Sequence, residues 1–143
     1  MLSNTCKTAI KAVIYLASKA DRAEKAGVKE VAQSIGASEH TVSKILQNLV
    51  KQQIINSIKG PTGGFYITEA QRELPIINIV NTIDGREVFT SCGLGLKQCS
   101  STHPCPIHHQ YKVGREIIET IFTQNSINVL CQPVENGLAH LIG

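Results

Sequence analysis

Three cysteines and a histidine lie close together in the second half of the chain. Cys92, Cys99, Cys105 and His108 have the spacing C-x6-C-x5-C-x2-H. This is neither the paired C-x2-C pattern of a zinc ribbon nor one of the common ferredoxin patterns. Three soft thiolates in one loop suit a single iron–sulfur cluster or one soft metal ion, with a fourth ligand supplied from elsewhere. The spacing therefore predicts a metal or cluster site.

The fourth ligand has several candidates. His108 comes first because it follows Cys105 by one helical turn, and His103, His109 and the remote Cys6 are alternatives. We expect Cys105 at the N-cap of the next helix, where the helix dipole would lower the pKa of its thiol. Two other interpretations stay open: the cysteines are ordinary free thiols, or they form a thiol–disulfide switch.

The composition favours a folded protein that stays in the cytoplasm. Of the 143 residues, 42% are hydrophobic and 17% are charged, and the five cysteines are an odd number without an export signal. A disulfide framework and a membrane span are therefore not expected. Lys7 and Lys11 interrupt the first apolar pattern, so it does not read as a signal peptide. We find no nucleophile beside a recognisable base and predict that the protein is not an enzyme.

The net charge of +3 is divided unevenly along the chain. Residues 1–65 carry nine Lys or Arg against four Asp or Glu, and residues 66–143 carry five against seven. A basic first half suits nucleic-acid binding at one end of the molecule, although a solvated lysine face would give the same count.

Helical periodicity predicts three helices in the basic half. The first covers residues 5–20, the second starts at Val28 and stops at Gly36, and the third follows Ser38 as its N-cap. The stretch DRAEKAG is predicted to connect the first two. A short helix, a glycine turn and a second helix make a helix-turn-helix, although any compact pair of helices would share this pattern.

A polar helix face and a hairpin follow that turn. The side chains of His40, Ser43, Lys44, Gln47 and Lys51 share the outer face of the third helix and are not needed for a core. Strand formers then flank the tip 59–64, KGPTGG, where small residues let the backbone approach a sugar-phosphate surface. This order of elements predicts a winged helix-turn-helix, and an ordinary hairpin turn is the alternative.

The rest of the chain contains two predicted helices and a loop. Residues 68–74 read as a polar connection, and Pro75 as the first turn of a helix that ends at Gly85. Residues 86–106 read as a loop of about 20 residues, a length that usually indicates function or disorder. A long helix then runs from after Pro106 to about Gln124, and one more turn covers residues 125–131. We expect the long helix to pack against its counterpart in a dimer, and a helix folded back on its own domain is the alternative.

The sequence resembles the bacterial regulator family that contains the iron–sulfur cluster regulator IscR, the nitric-oxide sensor NsrR and the cysteine regulator CymR. The resemblance covers about residues 5–131. It rests on the segments KTAIKAVIYLA, KGPTGGFYI and IVNTIDG, on the helix-turn-helix and on the spaced cysteines.

The resemblance implies a dimer that binds operator DNA. Carried over by position, His40, Ser43 and Lys44 would face bases in the major groove, and Lys59 would reach the minor groove. The family's cluster cysteines correspond to the three described above, and His108 corresponds to the histidine of the IscR branch. The predicted DNA-binding residues are Ser38, His40, Thr41, Ser43, Lys44, Gln47, Lys51, Lys59, Gly60, Thr62, Gly63 and Gly64.

Four positions depart from the family pattern. Lys59 replaces a usual arginine and cannot make planar guanidinium contacts. Thr62 replaces a frequent glycine, and the gap before Cys99 is one residue longer than in IscR. Lys7 occupies the position where the NsrR branch has an acidic ligand, which favours a histidine as the fourth ligand here.

We therefore expect a mainly α protein with three parts. Residues 1–85 form a winged helix-turn-helix domain, residues 86–106 a cysteine-containing sensor loop, and residues 107–143 a dimerisation helix and tail. The predicted function is a homodimeric transcription regulator, such as a repressor, that binds double-stranded operator DNA and senses iron–sulfur status, nitric oxide or redox state. A [2Fe-2S] cluster is favoured over [4Fe-4S]. The alternatives are a cluster-free regulator that uses thiols or a protein partner, and a metal or cluster carrier.

Overall fold

The computed structural model describes residues 1–19 and 24–143, and most of these residues are helical. Eight helices and one two-stranded sheet occur in the described residues. The fold confirms the predicted mainly α winged helix-turn-helix. The first three helices are α1 (Asn4–Ala17), α2 (Val28–Ile35) and α3 (Glu39–Lys51). Much of the predicted connection DRAEKAG lies outside the described residues.

The helix-turn-helix has the caps that the sequence predicts. The hydroxyl oxygen of Ser38 accepts a hydrogen bond from the backbone N–H of Thr41 in the first turn of α3. Gly36 ends α2 in the left-handed conformation at φ 66°, which is costly for residues with a Cβ. Only Ala37 separates these two caps, so the turn between α2 and α3 is tight.

A short hairpin follows α3. Strand β1 (Asn56–Ile58) pairs antiparallel with β2 (Gly64–Tyr66), and Ser57 lies opposite Phe65. On the other edge of β2, Phe65 and Ala26 exchange two backbone hydrogen bonds of 2.8 and 2.9 Å. Strand β2 is therefore paired on both edges, and its outer edge attaches the hairpin to the segment just before α2.

The middle of the chain is more helical than predicted. The expected polar connection contains α4 (Glu69–Arg72), which begins with a reciprocal capping box between Thr68 and Gln71. Pro75 lies before α5 (Ile77–Ile83) and not in its first turn. The expected loop starts with α6 (Glu87–Thr90), because Phe89 is buried there and packs 6.3 Å from the ring of Phe122. One-turn helices of this kind give too few residues for a periodic pattern.

Two helices complete the chain. The long helix α7 (His108–Gln124) agrees with the prediction, but α8 (Ile127–Glu135) is longer than the single turn expected. Ser126 caps α8 by accepting a hydrogen bond from the backbone N–H of Val129. Residues of α8 such as Ile127 and Cys131 are fully buried against α1. The packing against α1, not the propensity of the segment, explains the additional turns.

The apolar residues form two clusters. The larger one joins α1, α2, α3, α5 and α8 and includes Val13, Leu46 and Ile79, all fully buried. The smaller one contains Cys6, Ile77, Val80 and Phe89, with Phe122 and Ile118 of α7 packed against it. The smaller cluster lies between α1 and α5 on one side and α6 and α7, the helices on either side of the cysteine loop, on the other. Among the described residues, no helix has the length and apolar character needed to span a membrane.

Candidate metal centre and nucleic-acid interface

The three predicted cysteines come together in space. The Sγ atoms of Cys92, Cys99 and Cys105 all lie within 4.8 Å of one another, and those of Cys92 and Cys105 are 3.6 Å apart. Cys105 is buried, and the other two are half-buried. Three thiols this close are a donor set for a soft metal ion or an iron–sulfur cluster. No disulfide joins cysteines in the described residues.

The histidines differ in their distance from this set. The Nδ1 atom of His108 lies 3.1 Å from the Sγ atom of Cys99, whereas His108 does not belong to the group of ligand atoms within 4.8 Å of each other. His103 and His109 are exposed. Cys6 lies in the smaller apolar cluster, where burial and the nearby Asp84 carboxylate raise the pKa of its thiol to about 12. His108 is thus the candidate that the fold brings to the cysteines.

The thiol pKa values are shifted in opposite directions. The backbone N–H groups of Leu96 and Leu94 lower the pKa of the Cys92 thiol to about 7, because they donate to its sulfur. Burial raises the pKa of the Cys105 thiol. The prediction of a lowered pKa at Cys105 is therefore wrong. The N-cap of α7 is Ile107, and Cys105 lies two residues earlier, where its carbonyl accepts from the backbone N–H of His108.

Two residues of α7 hold the first cysteine segment. Arg115 is 8% exposed, and its Nη1 donates to the carbonyl oxygen of Ser91. The ring of Tyr111 lies over Gly93 so closely that a Cβ there would be 2.7 Å from a ring carbon. Sequence reasoning missed Arg115. The signal was its position in the stripe Tyr111, Arg115, Ile118, Phe122, where a charge interrupts an otherwise apolar face.

The long helix carries a second apolar stripe, on a different face from the stripe that packs on the core. Val113, Ile117 and Ile121 are 50 to 57% exposed and follow one another at four-residue intervals. In the structure, one stripe packs on the chain's own core and the other faces outward.

The predicted DNA-contacting residues of α3 lie on its outer face. The side chains of His40, Lys44, Gln47 and Lys51 are exposed, and Ser43 is half-buried and accepts a hydrogen bond from Gln47. The hydroxyl groups of Ser38 and Thr41 bond to each other at 2.9 Å as part of the helix cap. The α3 face therefore presents two ammonium groups, one imidazole and one amide together.

The hairpin tip presents a further cation and a compact backbone. Lys59, Gly60 and Thr62 are exposed, and Gly63 and Gly64 are half-buried. A Cβ at Gly63 would lie 2.0 Å from a carbonyl oxygen of β1, and Gly64 has φ 151° close to the backbone of Ala26. These two positions require glycine, which explains the small residues that the sequence analysis noted in the wing.

Comparisons with known proteins agree with this architecture. The sequence profile of the Rrf2 family, described as "Iron-dependent Transcriptional regulator", matches residues 2–133. A protein of Aquifex aeolicus (strain VF5), whose name describes an HTH-type transcriptional regulator, is 28% identical over 140 residues, which cover 96% of each chain. The regulator NsrR of Geobacillus kaustophilus (strain HTA426) is 31% identical over 102 residues, which cover 71% of this chain and 64% of NsrR.

Solved structures share the fold at lower sequence identity. CymR of B. subtilis, described as its global cysteine regulator, superposes with a TM-score of 0.73 at 17% identity and covers 92% of this chain and 95% of CymR. T. potens IscR also has a TM-score of 0.73 at 17% identity, with 97% of this chain and 91% of IscR covered. The resemblance noted from the sequence is thereby confirmed.

Proposed function

The chain belongs to the Rrf2 family of transcriptional regulators, and from that premise we propose a homodimer that binds operator DNA and senses iron–sulfur or redox status through Cys92, Cys99 and Cys105. Its relatives and its fold are those of transcription regulators and not of enzymes. The proposal assigns residues 1–85 to DNA binding, residues 86–106 to sensing and residues 107–143 to dimerisation. The observation that carries it is the convergence of the three thiols within 4.8 Å.

The donor set fits an iron–sulfur cluster. Thiolates are the usual protein ligands of such clusters, and the lowered pKa of Cys92 supplies one thiolate near neutral pH. When bound, a cluster supplies a centre that changes oxidation state and reacts with nitric oxide or oxidants. His108 is proposed as the fourth ligand because its Nδ1 atom already lies 3.1 Å from the Cys99 sulfur. We favour [2Fe-2S] over [4Fe-4S].

The α3 face and the wing are proposed to read the operator. His40, Ser43 and Lys44 would meet base edges in the major groove, while Lys59 would enter the minor groove. Neutral small side chains and exposed backbone at the tip allow a close approach to the phosphates. The remaining contacts in this assignment are Ser38, Thr41, Gln47, Lys51, Gly60, Thr62, Gly63 and Gly64.

The outward stripe of α7 is proposed as the dimer interface. Val113, Ile117 and Ile121 leave an apolar ridge on one helix, which a second copy would cover through the same ridge. Gly114 leaves a notch in this surface, since a Cβ there would meet no atom within 4 Å. Two copies so joined would present two α3 helices to half-sites about 34 Å apart.

Anaerobic purification of the full chain tests the cluster. We expect a coloured protein with thiolate-to-iron absorption bands and stoichiometric iron. The Cys99→Ser variant should lose both, while the matched Cys6→Ala variant should keep them. His108→Ala should weaken iron retention more than His109→Ala. A colourless protein without iron, even after anaerobic reconstitution, would refute the cluster.

Sedimentation at several protein concentrations tests the dimer. Ile117→Glu places a charge on the ridge and should shift the protein to monomers, whereas Lys112→Glu changes an exposed residue off the ridge and should not. A wild-type monomer at operator-binding concentrations would contradict this assembly.

A cluster-free thiol regulator is the second candidate. The 3.6 Å between the sulfurs of Cys92 and Cys105 favours it, because a peroxide could oxidise these two thiols to a disulfide while it is reduced to water. In that case, operator binding would depend on redox conditions in iron-free protein and would lose this dependence in Cys92→Ser.

A further inference from the structure

Arg115 is a buried charge. The packing of α7 does not explain why a guanidinium is desolvated at this position. It is 8% exposed and occupies an apolar stripe, and its Nε atom has no hydrogen-bond partner in the described residues. Its guanidinium lies 5.5 Å from the centre of the Tyr111 ring, and its Nη1 donates to the carbonyl oxygen of Ser91. A leucine or methionine could fill this position without desolvating a cation. The arginine therefore points to a role that needs the hydrogen bond to Ser91.

The backbone on the other side of Cys92 is held by the same helix face. Gly93 lies beneath the Tyr111 ring, where an added Cβ would come within 2.7 to 2.8 Å of three ring carbons. Tyr111 and Arg115 are one turn apart on α7. The residues immediately before and after Cys92 are thus fixed to two successive turns of one helix.

The second cysteine of the set contacts α7 through its own sulfur, 3.1 Å from the Nδ1 atom of His108, and in the described residues no backbone hydrogen bond ties its segment to that helix. Residues 93–98, which lead to Cys99, are all exposed, and Leu94 and Leu96 are each 53% exposed. Cys105 is buried just before α7 begins. The structure thereby divides the three cysteines into two whose backbone is attached to the α7 end and one that an exposed loop brings to His108.

We propose that Arg115 is a positioning residue that fixes Cys92 on α7, so that Cys92 and Cys105 form a preorganised two-thiolate half-site to which Cys99 is added. This inference rests on the proposed metal-binding function. It assigns the attachment of the Cys92 backbone to α7 to the Arg115 side chain and the Ser91 carbonyl group. Tyr111 and Gly93 complete the contact.

Metal binding by the reduced, cluster-free full chain tests the inference, with Zn²⁺ and Co²⁺ as the probes. In Arg115→Met, Zn²⁺ affinity should fall by about tenfold or more, as is typical when residues that orient metal ligands are changed. The thiolate-to-cobalt charge-transfer band should lose about one third of its intensity, because two thiolates remain bound where three were. Arg115→Lys keeps the charge and a donor, and should restore part of both signals.

The matched control is Arg86→Met. Arg86 also joins a residue of α7, Glu119, but it does not contact the cysteine segment. This variant should bind Zn²⁺ and Co²⁺ like the wild type. The cobalt spectrum is read only on variants whose circular dichroism and melting temperature match the wild type, since a merely structural role would not change the thiolate count of folded protein.

A second variant keeps the test decisive if Arg115→Met does not fold. Gly93→Ala displaces the same segment from the Tyr111 ring without removing a charge, and should lower the cobalt band in the same way. Wild-type affinity and band intensity in folded Arg115→Met or Gly93→Ala would overturn the positioning role. If the wild type itself holds neither cluster nor metal ion, the proposed sensing function fails, which is a different outcome.

Discussion

Arg72 connects three helices through a guanidinium that is only 1% exposed. It is the last residue of α4. Its Nη1 donates to the carbonyl oxygen of Ala17 at the end of α1, and its Nη2 donates to Asn128 at 3.1 Å and to Glu135 at 3.2 Å on α8. A fourth bond runs from Nη2 to the Sγ atom of Cys131 at 3.2 Å, and Arg72→Met keeps the aliphatic volume and removes all four. We expect this substitution to be among the most destabilising single changes in the chain.

The size of the expected stability loss follows from the burial of Arg72 and its ion-pair partner Glu135. Removing one member of a buried ion pair costs about 3 to 5 kcal/mol, because the remaining polar groups lose their partner away from water. The Glu135 side chain is 27% exposed and can regain some water, so we expect the free energy of unfolding to fall by about 3 kcal/mol. For a domain of this length, that loss lowers the melting temperature by roughly 10 °C.

Thermal unfolding monitored by circular dichroism, at one fixed protein concentration, measures this effect. The matched control is Arg86→Met, which removes an arginine–glutamate pair whose side chains are 60 and 30% exposed. Exposed pairs contribute about 1 kcal/mol or less, so the control should melt within a few degrees of the wild type. Equal losses of melting temperature in the two variants would refute the reasoning, since burial would then not determine how much an arginine–glutamate pair contributes to stability.

Three further predictions concern the wing and the thiols. Lys59→Ala should reduce the salt dependence of operator binding by about 0.9 in slope, whereas Lys112→Ala on α7 should leave the slope unchanged. Gly63→Ala should weaken operator binding in gel-shift titrations, because its Cβ would clash at 2.0 Å with a carbonyl oxygen of β1; Gly27→Ala, where a Cβ meets no atom within 4 Å, should bind normally. In iron-free protein, alkylation of Cys92 should reach half its maximal rate near pH 7, and a midpoint near the ordinary thiol value of 9.0 would contradict the lowered pKa. Because folding lowers this pKa, the contribution of Cys92 to stability is complete above pH 9 and is lost as the pH falls through 7.

The helix-turn-helix was predictable because local signals agree with one another there. Apolar residues recur at helical spacing in α2 and α3, and Gly36 and Ser38 mark the end of one helix and the beginning of the next. The turn residues of the wing are likewise set by local backbone requirements. In this part of the chain, the sequence pattern and the tertiary packing favour the same structure.

The short helices α4 and α6 could not be predicted in the same way. Each has four residues, fewer than periodicity needs, and each is stabilised by a partner far away in the chain. Phe89 of α6 packs against Phe122, and Arg72 of α4 bonds to α8. Long-range contacts of this kind leave no mark in the local pattern.

The convergence of the three thiols was predictable, whereas the directions of their pKa shifts were not. The spacing of the cysteines already indicated that three thiols converge. At Cys105, which lies two residues before the N-cap Ile107, burial raises the pKa of the thiol by more than the backbone N–H of Ile107 lowers it. The thiol with the lowered pKa is instead Cys92, which receives backbone N–H groups from its own loop.

The two buried arginines fix two separate junctions of the proposed regulator. Arg115 joins the cysteine segment to α7, and Arg72 joins α8, which follows α7 in the chain, to the end of α1. The Arg72 contact is a buried ion pair whose loss costs about 3 kcal/mol, whereas Arg115 bonds to the neutral carbonyl of the exposed Ser91, and a hydrogen bond from a charged group contributes about 1.5 to 3 kcal/mol. The Arg115 contact is therefore strong enough to transmit a coupling of about 1 to 3 kcal/mol, the usual size in regulators, from Cys92 to α7. In the proposed dimer joined along α7, a displacement of α7 would reposition the two α3 helices without any contact between the cysteine loop and DNA.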